Sequence, residues 1–330
     1  MNVVARLRVS VMLVGIGLIA TGCVQAPSYR AELPQTITSD NETIAIIGDL
    51  QHTSWYVRFL RRREDNRPEQ QVLLADLAAH KDELSSLVIV GDLVYAARSR
   101  SDWADFDRLI APYIDAIPVL PALGNHDYPC IFIQVCNTTK LAKGIRQRFP
   151  WFEPGVPYAV VANDLLLLFL DSESHLQEQG AWLEQQLADA SGRYAAALIF
   201  FHRPPFTNSI DFGAKPNLEV QEFVVPRLEA AQLPVVVFNG HVHGLEYIVK
   251  NGVHYVTTAG GGGPRGAMAD ERPLDFYSGP DCPQPGKDYD FRPLNYSLLH
   301  READRLVVDI RGFCRGDAGV SMLDRIEVPL

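Results

Sequence analysis

The sequence predicts an α/β protein built on a parallel or mixed β-sheet, and three observations predict it. Short continuous apolar runs recur along most of the chain, helical patterns fall between the earlier ones, and several runs end directly in glycine and a polar residue. The strand-length runs are Ile44–Ile47, Leu87–Val90, Pro118–Pro121, Leu165–Leu170, Ala197–Phe201, Val235–Phe238, His254–Thr257 and Arg305–Ile310. Their unbroken apolar character suits strands buried on both faces. Helical patterns lie around Glu69–His80, Asp102–Ala116, Gln177–Ala190 and Leu218–Ala231. The end of the chain lacks comparable helices and reads as β-structure and loops.

The bulk properties bound the function. At 330 residues with 47% apolar content, the chain can bury a sizeable core. A formal net charge of −10 argues against a nucleic-acid partner, which needs clustered Lys and Arg to displace counterions. It leaves an anionic substrate open, because bound metal ions can dominate a local field.

Residues 1–22 have the organisation of an export signal. Arg6 and Arg8 precede an apolar run from Val9 to Ala20, too short for a membrane span, and small residues follow. Ile19-Ala20-Thr21-Gly22-Cys23 resembles a bacterial lipobox, with Ala20 where leucine is usual. The resemblance implies a lipid on Cys23, membrane attachment through it, and residence in the bacterial cell envelope facing the periplasm. Residues 23–40 mix proline and polar residues without periodicity and read as a linker, followed by one domain over 41–330. Cys130, Cys136, Cys282 and Cys314 are an even set in an exported chain, which favours disulfides. Local closure would pair Cys130 with Cys136 and Cys282 with Cys314.

Five segments carry chemistry: GDLQH at 48–52, GDLVY at 91–95, GNHD at 124–127, FHRPP at 201–205 and GHVH at 240–243. Each places Asp, Asn or His just after an apolar run, and ligands of open α/β sheets gather at strand carboxyl ends. Carboxylate and imidazole together suit ions such as Zn, Mn or Fe, and a carboxylate can bridge two of them. Singly, each segment is as well explained by a turn, a cap or a core histidine. As an ordered set they resemble the calcineurin-like metallophosphoesterases from about Ile44 to Gly266, with intervening stretches such as WADFDRLIAPY similar to relatives of the purple acid phosphatases.

The resemblance implies a four-layer α/β/β/α sandwich, with two mixed sheets face to face and helices outside. It implies two transition-metal ions, divalent or trivalent, held by Asp49 and His243 on one side and Asn125, His202 and His241 on the other, with Asp92 bridging. It makes His126 a general acid steadied by Asp127. Where relatives commonly have DxH, this chain has Asp49-Leu50-Gln51, so Gln51 inherits the ligand direction on extended backbone and His52 points away. Tyr95 stands three residues after Asp92, where purple acid phosphatases place an iron-binding tyrosinate; packing beside the site is the other reading. Arg203 is either a phosphate-holding residue or half of an ion pair. Gly260–Gly263 lacks P-loop spacing and reads as a tight loop near the metals. Phosphomonoester hydrolysis is the activity implied. The alternatives are a phosphodiesterase or nucleotidase of the same family, or a binding lipoprotein that keeps the fold without catalysis. Substrate selectivity is expected from the loops Tyr128–Lys143 and Ala267–Pro293.

Overall fold

The computed structural model describes residues 29–53, 58–59, 64–128, 138–210, 213–265, 280, 282 and 292–330. Its strands are β1 (Thr36–Ile37), β2 (Thr43–Ile47), β3 (Leu84–Val90), β4 (Val119–Ala122), β5 (Tyr158–Ala162), β6 (Leu165–Phe169), β7 (Ala196–Phe200), β8 (Val235–Asn239), β9 (Leu245–Lys250), β10 (Val253–Thr258), β11 (Leu294–Glu302), β12 (Arg305–Phe313) and β13 (Ser321–Pro329). Its α-helices are α1 (Arg67–Ala79), α2 (Arg100–Ile114), α3 (Thr138–Arg148), α4 (Leu176–Ala190), α5 (Leu218–Phe223) and α6 (Val225–Glu229). The strands form a seven-stranded sheet in the order β1-β5-β6-β7-β8-β10-β9 and a six-stranded sheet in the order β13-β12-β11-β2-β3-β4. Both sheets are mixed: β2-β3-β4 and β6-β7-β8 run parallel, while β11, β12 and β13 add antiparallel neighbours to one sheet and β5 and β9 to the other.

The apolar runs are continuous because each strand serves two cores. In β2, Ile44 and Ile46 face the layer between the sheets, whereas Ala45 and Ile47 face α1 and α2. In β7, Leu198 and Phe200 enter the same inner layer while Ala197 and Ile199 pack outward with the residues of α4 and α5. Period-two alternation thus buries both faces, and the four-layer arrangement follows.

The inner layer holds an aromatic ladder. Tyr158 stacks on Phe169 at 4.3 Å, Phe169 on Phe200 at 4.8 Å, and Phe200 on Phe238 at 5.5 Å. The strand register sets these pairs directly opposite one another on β5, β6, β7 and β8. Cross-strand aromatic pairs add to what area burial alone contributes.

Several elements depart from the sequence reading. The helix expected over Leu218–Ala231 is two short helices, because Pro226 cannot donate its N–H and its ring crowds the preceding turn. Strands β9 and β13 carry charged residues on partly exposed edges, and β11 carries Asn295 and Ser297 into the interior, so none offers an apolar run. Within the segment read as a linker, residues 29–40 lie against the body. Tyr29, Leu33 and Ile37, four residues apart, pack into the cores, and Ile37 extends the first sheet through β1. The Tyr29 N–H donates to the Arg148 carbonyl at 2.8 Å, and its ring meets Phe149 edge-on.

A disulfide joins Cys282 to Cys314 with Cα atoms 5.3 Å apart, the local pairing expected for these two. Cys130 and Cys136, the export signal with Cys23, and most of the two selectivity loops lie outside the described residues. No helix among the described residues is long and apolar enough to cross a membrane.

Phe200 sits mid-ladder and is fully buried, so Phe200→Ala should destabilise the protein by about 3–5 kcal/mol. Urea unfolding measures this. A loss no larger than that of Val249→Ala, at a half-exposed edge position, would contradict the ladder's role.

Candidate metal centre

Three of the strands that lead into the centre are followed by a left-handed backbone conformation at a polar residue. Asp49 follows β2, Asp92 follows β3, and His241 and His243 follow β8. All four adopt positive φ, at 59°, 52°, 75° and 50°. Such left-handed geometry costs energy for residues with a Cβ and persists where the surroundings impose it. Around His202 the space is equally tight: a methyl group on Gly91, Gly124 or Gly240 would strike its ring. The glycines before Asp92, Asn125 and His241 are therefore explained by close approach to one imidazole, whereas Gly48 before Asp49 packs against Val90 and the Thr258 carbonyl.

The expected residues converge. Asp49, Asp92 and His202 are buried and each offers a ligand atom, all within 4.8 Å of one another. His243 Nε2 lies 3.3 Å from Asp49, and His202 Nε2 lies 3.3 Å from Asp92. His241 Nδ1 lies 3.3 Å from His202 Nε2, and its backbone N–H donates to the Asp49 carboxylate at 3.0 Å. Gln51 points inward, its amide nitrogen 2.9 Å from Asp92 and 3.1 Å from His243. His52 turns away toward Asp105, 3.6 Å distant.

Backbone carbonyls decide which nitrogen each histidine presents. His202 Nδ1 donates to the Val90 carbonyl at 2.9 Å, so Nε2 faces the carboxylates. His243 Nδ1 donates to the Pro264 carbonyl at 2.7 Å, again leaving Nε2 for the centre. His241 is turned round: its Nε2 lies 2.8 Å from the Gly213 carbonyl, and Nδ1 faces inward. Fixing one nitrogen by hydrogen bond is how proteins orient metal-ligating imidazoles.

The electrostatics match a cation site. Burial works against charge on His202, but the Asp92 carboxylate outweighs it and lifts the imidazole to about 10. His243 is raised against its own burial by Asp49, whereas burial and the charges of His202 and Arg203 push His241 well below the ordinary histidine range. The carboxylates thus demand positive charge at this point, which divalent ions can meet with neutral imidazoles as ligands. Two further atoms fit such ions: Gln51 Oε1 and Asn125 Oδ1 are buried with no hydrogen-bond partner. Oxygen atoms left without partners in a cluster of carboxylates and imidazoles are suited to coordinating metal.

His126 and Asp127 are arranged differently from the expectation. Asp127 does not steady His126: its carboxylate accepts from the N–H groups of Gly124 at 2.9 Å and Val94 at 3.2 Å, so it holds the GNHD turn closed. Burial, and then the charge of Asp92, push its carboxyl up to about 8. His126 instead donates from Nδ1 to the Tyr95 carbonyl at 2.8 Å, with the two rings 4.9 Å apart, while its backbone N–H donates to Asp92 at 2.8 Å. The Tyr95 ring lies beside that of His126. Arg203 is ion-paired with Glu173 at 2.6 Å and reaches to within 2.9 Å of His241 Nε2. No motif pointed to Glu173 or to the Tyr95 carbonyl; backbone partners carry no sequence signal.

Residues 42–245 match the family model of the calcineurin-like phosphoesterases, and the chain belongs to that family. It is similar to purple acid phosphatase 22 of Arabidopsis thaliana, 23% identical over 209 residues that cover 61% of this chain and 44% of that protein. It is also similar to the serine/threonine-protein phosphatase CPPED1 of Homo sapiens, 26% identical over 172 residues, covering 47% of this chain and 52% of that one. The chain spans about half the length of these curated relatives. In three dimensions it resembles purple acid phosphatase PPD1 from yellow lupin seeds with a TM-score of 0.63 at 15% identity, over 90% of this chain and 55% of that one.

Asp92 is the residue on which the other loops converge. Asp92→Asn should keep the fold, since the amide retains the shape, but bind fewer metal ions per chain. Elemental analysis of purified protein tests this, and unchanged metal content in that variant would remove Asp92 from the ligand set.

Proposed function

We propose that this protein is an exported phosphatase that hydrolyses phosphomonoesters with two metal ions. The convergence of Asp49, Asp92 and His202 within 4.8 Å, beside the unpartnered oxygens of Gln51 and Asn125, carries the reading. Asp49, Gln51 and His243 would hold one ion, Asn125, His202 and His241 the other, and Asp92 would serve both. When bound, such a pair supplies charge for the phosphoryl oxygens and lowers the pKa of water to near neutrality. Membership of the phosphoesterase family supports a phosphate ester as substrate. The similarity to two phosphatases favours monoesters over the phosphodiesterase or nucleotidase alternative. A binding lipoprotein that had lost catalysis would have no need of a complete ligand set.

The chain's own residues supply orientation and a proton. With its Nδ1 proton given to the Tyr95 carbonyl, His126 can exchange a proton only at Nε2. That leaves the second nitrogen to donate to the departing alkoxide. Arg203, fixed by Glu173, stands beside His241 with a guanidinium able to meet phosphate oxygens.

The His126 role is tested by leaving-group dependence. His126→Ala should lose on the order of 10²–10⁴-fold on alkyl phosphates. It should lose far less on nitrophenyl phosphate, whose leaving group is already a stable anion, while metal content stays normal. Equal losses on both substrates, with metals still bound, would exclude proton donation by His126.

The site says nothing of location, and here the lipobox-like run ending at Cys23 is the support. It favours a lipid anchor on the cell envelope, facing the periplasm. Cys23→Ser should then yield soluble or unprocessed protein in detergent partitioning, and an unchanged partition would sink the anchor.

A further inference from the structure

A loop remote in sequence seats the first-metal residues. Gly260–Arg265 follows β10 and touches the centre at three points. Gly261 N donates to the Gly48 carbonyl at 2.9 Å, Gly263 N donates to the Asp49 carbonyl at 3.0 Å, and the Pro264 carbonyl accepts from His243 Nδ1. A Cβ on Gly263 would lie only 3.0 to 3.1 Å from three atoms of the His243 ring, so the imidazole rests directly on this backbone.

The loop is in turn held by residues at the start of α1. Asn66 donates to the Gly263 carbonyl at 2.8 Å, and Gln70 donates to the Gly261 carbonyl at 2.7 Å and the Leu50 carbonyl at 2.9 Å. Glu64 meets one edge of the Arg265 guanidinium with both oxygens, at 2.7 Å to Nε and 2.9 Å to Nη2, and also accepts from the Arg265 backbone N–H at 3.0 Å. The two side chains are only 5% and 3% exposed. Burial works against the Glu64 carboxylate, but Arg265 prevails and holds its carboxyl below the usual range.

We propose that the buried Glu64–Arg265 pair is a positioning device for the metal site of Asp49, Gln51 and His243. By fixing Arg265 it fixes the adjoining Pro264 carbonyl, and with it the nitrogen and the direction that His243 presents. A buried ion pair contributes little net stability compared with apolar residues of similar volume, so its placement against this loop points to geometry. A neutral amide in the ligand set, Gln51, makes that geometry matter more, because weak ligands tolerate little misalignment. The inference rests on the two-metal reading.

The test titrates metal-free protein with MnCl2 by calorimetry, comparing wild type with a Glu64→Met/Arg265→Met double variant that removes both charges together. Wild type should bind two ions. In the double variant one ion should bind as in wild type, and the other about 10–100-fold more weakly, the usual effect of losing an outer partner of a ligand. Unchanged affinities, or an equal loss at both sites, would overturn the positioning role, since a purely structural pair has no reason to select one ion. Should the double variant fail to fold, Arg265→Lys keeps the charge and loses the two-pronged grip; it should weaken the same ion alone, and unaltered binding overturns the inference. Wild type that takes up no Mn would defeat the two-metal reading itself and this inference with it.

Discussion

The carboxylate of Asp92 is the constraint on which the rest of the centre depends. It stands after β3, is 1% exposed, and receives contacts from three other strand ends. Gln51 from the β2 loop, the His126 N–H from the β4 loop and His202 from the β7 loop all reach it within 3.3 Å. A buried charge without such partners would cost several kcal/mol. The fold therefore has to bring both sheets together at this point, and the glycines around His202 exist to let it.

Strain and satisfaction are balanced locally. Positive φ at Asp49, Asp92, His241 and His243 is tolerated because each residue is over-determined. The Asp49 N–H donates to the Gly91 carbonyl, the Gln51 N–H to the Asp92 carbonyl, and the His241 N–H to the Asp49 carboxylate. Successive loops thus hold one another, and no loop can shift alone. Behind them the strands are anchored by cores on both faces, which makes the sheets a rigid support for polar groups at their ends.

Orientation of the imidazoles comes from elements without motifs. Val90, Gly213, Pro264 and Tyr95 each contribute only a carbonyl oxygen, yet between them they choose the working nitrogen of four histidines. The long-range tie from α1 through Glu64 and Gln70 to the glycine loop joins chain segments about 200 residues apart. Loop closure over such a distance brings an entropic cost that the buried hydrogen bonds must offset.

The sequence by itself determined the α/β class, the eight apolar strands, the order of the five polar segments and the inward direction of Gln51. The strands follow from a local rule, since apolar runs mark strands buried twice; the direction of Gln51 agrees with the sequence reading although the chain leaves extended geometry at Asp49. Edge strands, the polar central strand β11 and the docking of residues 29–40 were hidden, because their pattern is set by neighbours distant in the chain. The exchange of roles at Asp127 was hidden for the same reason. Nothing in GNHD tells whether the aspartate reaches its neighbour's imidazole or two backbone N–H groups, and the approach of Val94 and Tyr95 decided it. Tertiary structure alone chose the partners, since a hydrogen bond depends on where a donor and acceptor meet and not on which residue types carry them.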